Sequence, residues 1–423
     1  MTTASSTSAT QSPAPSRGFN AQWTITLFGT AVGAGILFLP ISAGSFGFVP
    51  LLIATILIGP MTYLSHRAYS WMMTYSPLFG EDVLAVLTDF FGRRAGIILA
   101  IIYWFTIFPV VLIYGVSITN TIESFATNQL GLQAPSRWIL APVCVGLMTL
   151  ALAFGHKIML AVAQIVVYPL IIALAAVSIY LIPQWDFQSF MEAGDHSVMG
   201  VIRSTVLILP VLVFAFAFVA ALSQFVISMG EQYGRDHHKQ SDKVIRNTVI
   251  LLTVFTMFFV WSSALAMGAD GMREANENNL PVLSYFANVT GAPFMAYMAP
   301  IVVICAIASS YFGHALGTVE GTQYLFNLSF PKAAKSISSR QLDLLTYLFI
   351  FICTSIVGIL NPSILDMITL VGGIFYAFII YLLPMFVVNR VDALARFRGL
   401  PTNIFVTVMG TIVLIATIWG IFI

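Results

Sequence analysis

Three glycines and a proline fall within one apolar stretch, Phe28-Gly29-Thr30-Ala31-Val32-Gly33-Ala34-Gly35-Ile36-Leu37-Phe38-Leu39-Pro40. Glycine weakens a helix through backbone freedom and proline through a missing N–H. An opened helix at membrane depth exposes backbone donors and acceptors, which is tolerable only where they line a polar cavity or hold a ligand. The ends of the two half-helices carry opposite partial charges, suited to a carboxylate and to a cation. Small residues also let a neighbouring helix approach closely, so packing is the competing explanation.

Three further runs carry polar groups inside apolar surroundings. Tyr114-Gly115-Val116-Ser117-Ile118-Thr119-Asn120-Thr121-Ile122-Glu123 offers hydroxyls and, at Asn120, both a donor and an acceptor. Glu123 fits an interfacial carboxylate. Ser309-Ser310-Tyr311-Phe312-Gly313-His314 continues to Glu320. There His314 can change charge near neutral pH, and Ser309 and Ser310 are hard oxygen ligands for Na⁺. A structural histidine bonded to a carbonyl, and serines that merely pack, are the simpler alternatives. Of the six histidines, only His314 is placed well inside a span by this reading. The last run, Phe214-Ala215-Phe216-Ala217-Phe218-Val219-Ala220-Ala221, alternates aromatic and small residues, with Ser223 and Gln224 beyond. Its small face can contact the first span or leave room for a ligand side chain.

The elements that position these groups follow from composition. Residues are 59% hydrophobic and 8% charged, against about a quarter charged in soluble chains. Apolar stretches of about 18 to 27 residues are long enough for transmembrane helices. Hydropathy places eleven, at about 21–45, 48–72, 96–123, 137–154, 158–183, 204–229, 247–269, 292–317, 342–360, 364–388 and 402–422. With the N-terminus in the cytoplasm, all but Arg137, Arg203 and Arg273 of the eighteen basic residues fall on that side or at its interface. The C-terminus then faces outward. The outer loops are acidic, carrying Asp186, Glu192 and Asp195, then Asp270, Glu274 and Glu277.

Residues 1–20 read as a flexible cytoplasmic tail and 21–423 as one membrane domain, since no polar connection is long enough for an independent core. Cys144, Cys305 and Cys353 lack short pair spacing and read as packing residues. No basic domain supports nucleic-acid binding. No resident cofactor or obligatory protein partner is implied, leaving the bilayer and a small solute. A channel lacks a filter-like repeat, and a membrane enzyme lacks clustered ligands or a nucleophile with its base.

From about Trp23 onward the chain resembles bacterial hydroxy and aromatic amino-acid permeases, in particular their serine and threonine importers. The stretches that carry the resemblance are Phe28 through Pro40, Tyr114 through Phe125, Asn279 through Ala287, Gly313-His314-Ala315-Leu316-Gly317 with Glu320-Gly321, and Asn361-Pro362-Ser363-Ile364-Leu365. That family is similar to the amino acid, polyamine and organocation superfamily. The resemblance implies an all-α membrane protein with two inverted five-helix repeats, at about 21–183 and 204–388, plus an added helix at 402–422. It implies discontinuous first and sixth helices. The substrate would lie against Ala31, Gly33, Ala34 and Gly35, against Ala217, Phe218 and Ala221, and against Asn120 and Ser309. Ser310, His314 and Glu320 would serve coupling or gating, and Asn279 to Ala287 would cover an outer vestibule.

Two departures shape the expectation. Importers of this type have a Phe-Asn-x-Ser-Pro stretch where this chain has Phe216-Ala217-Phe218-Val219-Ala220, so neither the sixth-span break nor a polar pocket has an evident basis in its residues. They also have a lysine where this chain has Ser309, which exchanges a fixed charge for an oxygen ligand. The resemblance thus implies import of a small neutral amino acid with H⁺. The departures leave open Na⁺ coupling and a larger, apolar or aromatic amino acid, bound in a bacterial inner-membrane carrier working by alternating access.

Overall fold

A computed structural model describes residues 17–152, 156–234 and 237–421, with the side chains of Arg17, Ala34 and 156–164 left aside. The expectation for most of the N-terminal tail therefore lies outside the described residues, as do the positions of Arg235 and the side chain of Lys157. The described chain is all-helical. In order, the elements are α1 (Arg17–Ala31), α2 (Ala34–Gly44), α3 (Phe48–Thr74), α4 (Val83–Ser124), α5 (Arg137–Ala151), α6 (His156–Tyr180), α7 (Phe187–Glu192) and α8 (Val198–Ala215). They continue with α9 (Val219–Tyr233), α10 (His238–Glu277), α11 (Val282–Val289), α12 (Pro293–Ser329), α13 (Ser339–Leu360), α14 (Ile364–Leu370), α15 (Leu383–Arg390) and α16 (Pro401–Ile421).

Among the described residues, nine helices are long and apolar enough to cross a membrane, and α1 with α2 make a tenth as a single bent span. The one expected span not among these ten is the fourth, α5, whose described helix has 15 residues. The sixth is α8 continued by α9, and the tenth is α14 continued by a π-helical stretch, Val371–Leu382, into α15. Exposed large side chains such as Ile56, Leu147, Ile165 and Leu344 lie along these helices. On a membrane protein they are the surface that meets lipid tails.

Helix ends are written locally. Asp82 Oδ1 accepts from the Ala85 amide at 2.9 Å, Ser197 Oγ from Gly200 at 3.0 Å, and Ser338 with Gln341 forms a capping box on α13. At Gly92 (φ 78°) and Gly268 (φ 67°) the chain turns within α4 and α10, setting short interfacial helices against the spans. Two loops meet back to back at Gly47 (φ 86°) and Gly194 (φ 93°). A side chain on either would overlap the other loop's backbone carbonyl, at Ala193 and Phe46.

In the core α12 lies along α4 and α6, while α10 lies along α1, α2 and α3. α2 and α3 also touch α8, which brings both interrupted spans together. Of the three cysteines, Cys144 is buried as a packing residue should be, whereas Cys305 is on an exposed face.

Candidate functional site: two interrupted helices

The first span opens where its glycines cluster. After Val32 donates to Phe28 in regular fashion, Gly33 donates to Ala31 at 2.9 Å and Ile36 donates to Gly33 at 3.2 Å. The two halves meet at 62°. Gly33 itself is extended (φ −135°, ψ −163°), a conformation open to any residue, so its demand for glycine is steric. A Cβ there would overlap the hydroxyl of Ser310 on α12. Gly35 is pressed the same way, with a would-be Cβ 2.9 Å from the Phe214 ring and 3.5 Å from Ala215 Cα. Ala31 is buried beside them; the Ala34 side chain lies outside the described residues.

The sixth span opens as well, at Phe216-Ala217-Phe218 between α8 and α9. Ala217 donates to Phe214 at 3.4 Å, Phe218 donates to a side chain, and Ala221 donates to Phe218 at 3.2 Å. These three amides all leave the regular i to i−4 ladder. Phe218 is buried, whereas Ala217 and Ala221 are partly exposed. The acceptor for Phe218 is Nε2 of His66 on α3, at 3.3 Å. Residue pattern alone placed no histidine but His314 well inside a span, and this is corrected: His66 is 2% exposed within α3. Its signal was available, a histidine amid an apolar helix, but the adjacent Arg67 drew that stretch toward the interface. Arg67 in fact turns onto Tyr63, Trp71 and the Thr402 hydroxyl.

Around the breaks stand polar side chains. The Tyr114 hydroxyl bonds Ser310, and the Tyr114 ring meets His314 edge-on at 5.5 Å. His314 Nδ1 is 2.9 Å from its own helix carbonyl at Ser310. Tyr376, on the π-helical part of the tenth span, stacks on Phe214 at 5.6 Å and lies within electrostatic reach of Tyr103 and Tyr114. Such π-helical turns recur at functional positions. Tyr103 and Tyr376 were not singled out from the sequence, because one aromatic among 13% aromatics carries no mark of what it faces.

The other expected residues lie apart from this centre. The hydroxyl of Ser309 is spent on the Ala306 carbonyl at 3.1 Å. Glu320 is exposed, roughly three turns from Ser310 along α12. Asn120 donates to the Asn279 carbonyl at 2.8 Å and to Asn361 Oδ1 at 3.0 Å. Asn279 donates to Asn361 at 2.9 Å and to the Pro362 carbonyl at 2.9 Å, and its own oxygen accepts from Ile364 at 2.8 Å. This knot joins the ends of the third and ninth spans to the start of the tenth, and it holds the two non-glycine residues of positive φ among the described residues, Asn279 (54°) and Asn361 (51°).

The segment expected to cover a vestibule is the buried helix α11 and its lead-in, tied to α4 through Ser284–Thr121 at 3.4 Å and Asn288–Ser124 at 3.0 Å. Nearby, Tyr285 donates to Glu274 at 2.6 Å, and burial together with that carboxylate raises the phenol above its usual range. Glu123 pairs with Arg137 at 2.5 Å, as suits an interfacial carboxylate. A cavity of about 1020 Å³ opens at this same end of the bundle, bordered by Ser42, Ser204, Pro210, Arg273 and Asp366.

The two interrupted helices thus meet, Gly35 against Phe214 and Ala215, with the hydroxyls of Tyr114 and Ser310 beside the first break. The model of the tryptophan/tyrosine permease family matches residues 21–422. This chain belongs to that family. The serine transporter SdaC of Escherichia coli K12 is 38% identical over 411 residues, 96% of each chain. The threonine/serine transporter TdcC of Yersinia enterocolitica is 36% identical over 409 residues, 92% of each. These relatives are named as transporters, and the family is one of permeases rather than enzymes.

Among solved structures, a histidine-to-alanine variant of the Eremococcus coleocola manganese transporter superposes with a TM-score of 0.62 at 12% identity, covering 98% of this chain and 89% of that one. At that identity the likeness concerns the fold alone: a polytopic helical bundle, as the residues implied.

Proposed function

We propose that this permease is a secondary active importer of a small hydroxy amino acid, serine or threonine, moved together with H⁺. The observation that carries the reading is the pair of breaks at Val32–Gly33 and Phe216–Phe218. Their freed backbone groups offer donors to a carboxylate and acceptors to an ammonium without any fixed charge. The relatives named for serine and threonine supply the substrate class. Ala31, Gly33, Ala34 and Gly35, with Ala217, Phe218 and Ala221, form the binding backbone; Ser310, Tyr114 and His314 border it. The protein sits in a bacterial inner membrane with its N-terminus in the cytoplasm and its C-terminus outside, following its basic residues.

A second reading keeps the site and changes the ion or the cargo. The Ser310 hydroxyl against Gly33 favours Na⁺, an oxygen ligand beside an opened helix. Phe216 and Phe218 in the sixth break favour a larger, apolar or aromatic amino acid. Proteoliposomes decide the ion: accumulation of serine under ΔpH without Na⁺ supports H⁺, and accumulation under a Na⁺ gradient alone rejects it. A thermal-shift panel of all amino acids on purified protein decides the cargo, with serine and threonine expected to give the largest shifts.

A further inference from the structure

The sixth-span break is held from behind by a side chain that the binding reading does not use. His66 Nδ1 lies 2.9 Å from the Thr62 carbonyl oxygen, which can only accept, and Nε2 lies 3.3 Å from the Phe218 amide, which can only donate. Together they set the tautomer: Nδ1 carries the proton and Nε2 presents its lone pair. The Phe218 ring stacks on the imidazole with centroids 4.0 Å apart. In this conformation the imidazole is neutral, and its lone pair satisfies an amide that the broken helix set free.

The geometry points to Nε2 of His66 as a proton-binding site, coupled to capture of a substrate carboxylate by the Phe218 amide. A proton on Nε2 would place two donors face to face across the present hydrogen bond. A carboxylate that draws the Phe218 N–H away leaves the lone pair free for H⁺ and adds a negative charge beside the ring. The imidazolium in turn attracts that carboxylate. By linkage each ligand raises the other's affinity by the same factor. The proton comes from solvent and is returned when the amide closes on Nε2 again, so charge and atoms balance over a cycle.

The surroundings make this coupling strict. Among the described residues, the contacts of the ring are with Ser65, the Thr62 carbonyl, the Phe218 amide and the Phe218 ring, none of them charged. On its own helix stand Tyr63 and Tyr69, one turn to either side, and Arg67, which lies over the Tyr63 and Trp71 rings, while Tyr381 of the tenth span is bonded to Ser65. Among the packed elements, α2 and α16 carry no ionisable side chain in their described residues. Arg203 on α8 and Glu192 on α7 are at exposed positions, Glu231 and Tyr233 lie at the far end of α9 from Phe218, and Arg390 on α15 lies over Phe386. Asp242 on α10 faces Arg67, not the ring. With no counter-ion in contact among the described residues, an imidazolium at this position depends on the charge that the substrate brings, which keeps the empty carrier from passing protons.

This inference rests on the H⁺-coupled reading, and the experiment separates the two. Serine binding to purified protein is measured from pH 8 to pH 6, with proton uptake read by calorimetry in buffers of different ionisation enthalpy. The wild type should bind about tenfold tighter at the lower pH and take up a proton with serine. In His66→Gln, Oε1 still accepts from Phe218 but takes no proton. Serine exchange should persist, slowed up to about tenfold, while ΔpH-driven accumulation and the pH slope are lost. A His66→Gln carrier that accumulates serine under ΔpH with the wild-type slope overturns the inference alone. A wild type driven by Na⁺ alone, with no proton uptake, overturns the H⁺ reading and the inference together. Should the variant not fold, ¹⁵N-histidine spectra of the wild type at pH 6 decide: serine should convert the His66 signal from the Nδ1–H tautomer to imidazolium, and an unchanged signal overturns the proposal.

Discussion

The two breaks reach similar ends by different means. In the first span the cause is local: Gly29, Gly33 and Gly35 weaken the helix, and Gly33 and Gly35 admit Ser310 and Phe214 where side chains would stand. In the sixth span no glycine or proline marks Phe216 to Phe218, and the opened amide is held by His66 from another helix. One break is written in the segment that bends; the other is imposed by a neighbour. A buried amide must find a partner from somewhere, and when the chain cannot supply it within four residues, tertiary structure does.

The comparison breaks most sharply at Gly33. Gly33→Val should lower serine uptake by about a hundredfold while the protein still inserts, because overpacking of this kind costs about 1–3 kcal/mol and here displaces the Ser310 hydroxyl. Uptake in cells, normalised to membrane-resident protein, checks it. Gly33→Ala combined with Ser310→Gly should recover much of what Gly33→Ala loses, since the clash rather than the backbone angle is the obstacle. If the double variant is no better than the single one, the steric account of the first break fails.

Gly35→Ala should do less, about three- to tenfold, because its Cβ would meet a ring edge that can yield by a few tenths of an ångström. Phe214→Leu in the same chain should restore part of the lost uptake. Stacking of Phe214 on Tyr376 limits that relief, so full recovery would show that the stacked pair is dispensable to the site.

The same contrast explains how far the sequence could be read. Span positions were legible because bilayer thickness and the cost of unpaired backbone leave little choice. The glycine cluster of the first span was legible because its cause is its own composition. The Phe216–Phe218 break was not, because it rests on a partnership between residues 66 and 218; His66 stood out as a polar residue in an apolar helix, but neither residue type announces their pairing. Asn120 drew notice as a polar group in an apolar run, which was sound. Its partners, Asn279 and Asn361, were visible only as parts of separate motifs.

Asn120 therefore tests whether a polar group within a span belongs to the breaks or to the scaffold. Its two donated bonds lie within the knot of Asn279 and Asn361, where losing a hydrogen bond costs about 1 kcal/mol net, and more when partners stay buried. Asn120→Ala should lower thermal stability by a few degrees and change the serine dissociation constant by less than about threefold. A tenfold loss of affinity with unchanged stability would return Asn120 to the binding site.

Neighbouring serines on α12 give the finest test. The Ser309 hydroxyl is bonded within its own helix, so Ser309→Ala should change uptake by less than about twofold, the cost of a satisfied local bond in a helix being small. Ser310, packed on Gly33 and bonded to Tyr114, bridges three spans at the first break, and Ser310→Ala should cost about three- to fivefold. Measured side by side with and without Na⁺, the pair also speaks to the ion: if Ser309→Ala proves the more harmful only when Na⁺ is present, its hydroxyl leaves Ala306 to hold the cation, and the first break serves the ion as well as the substrate.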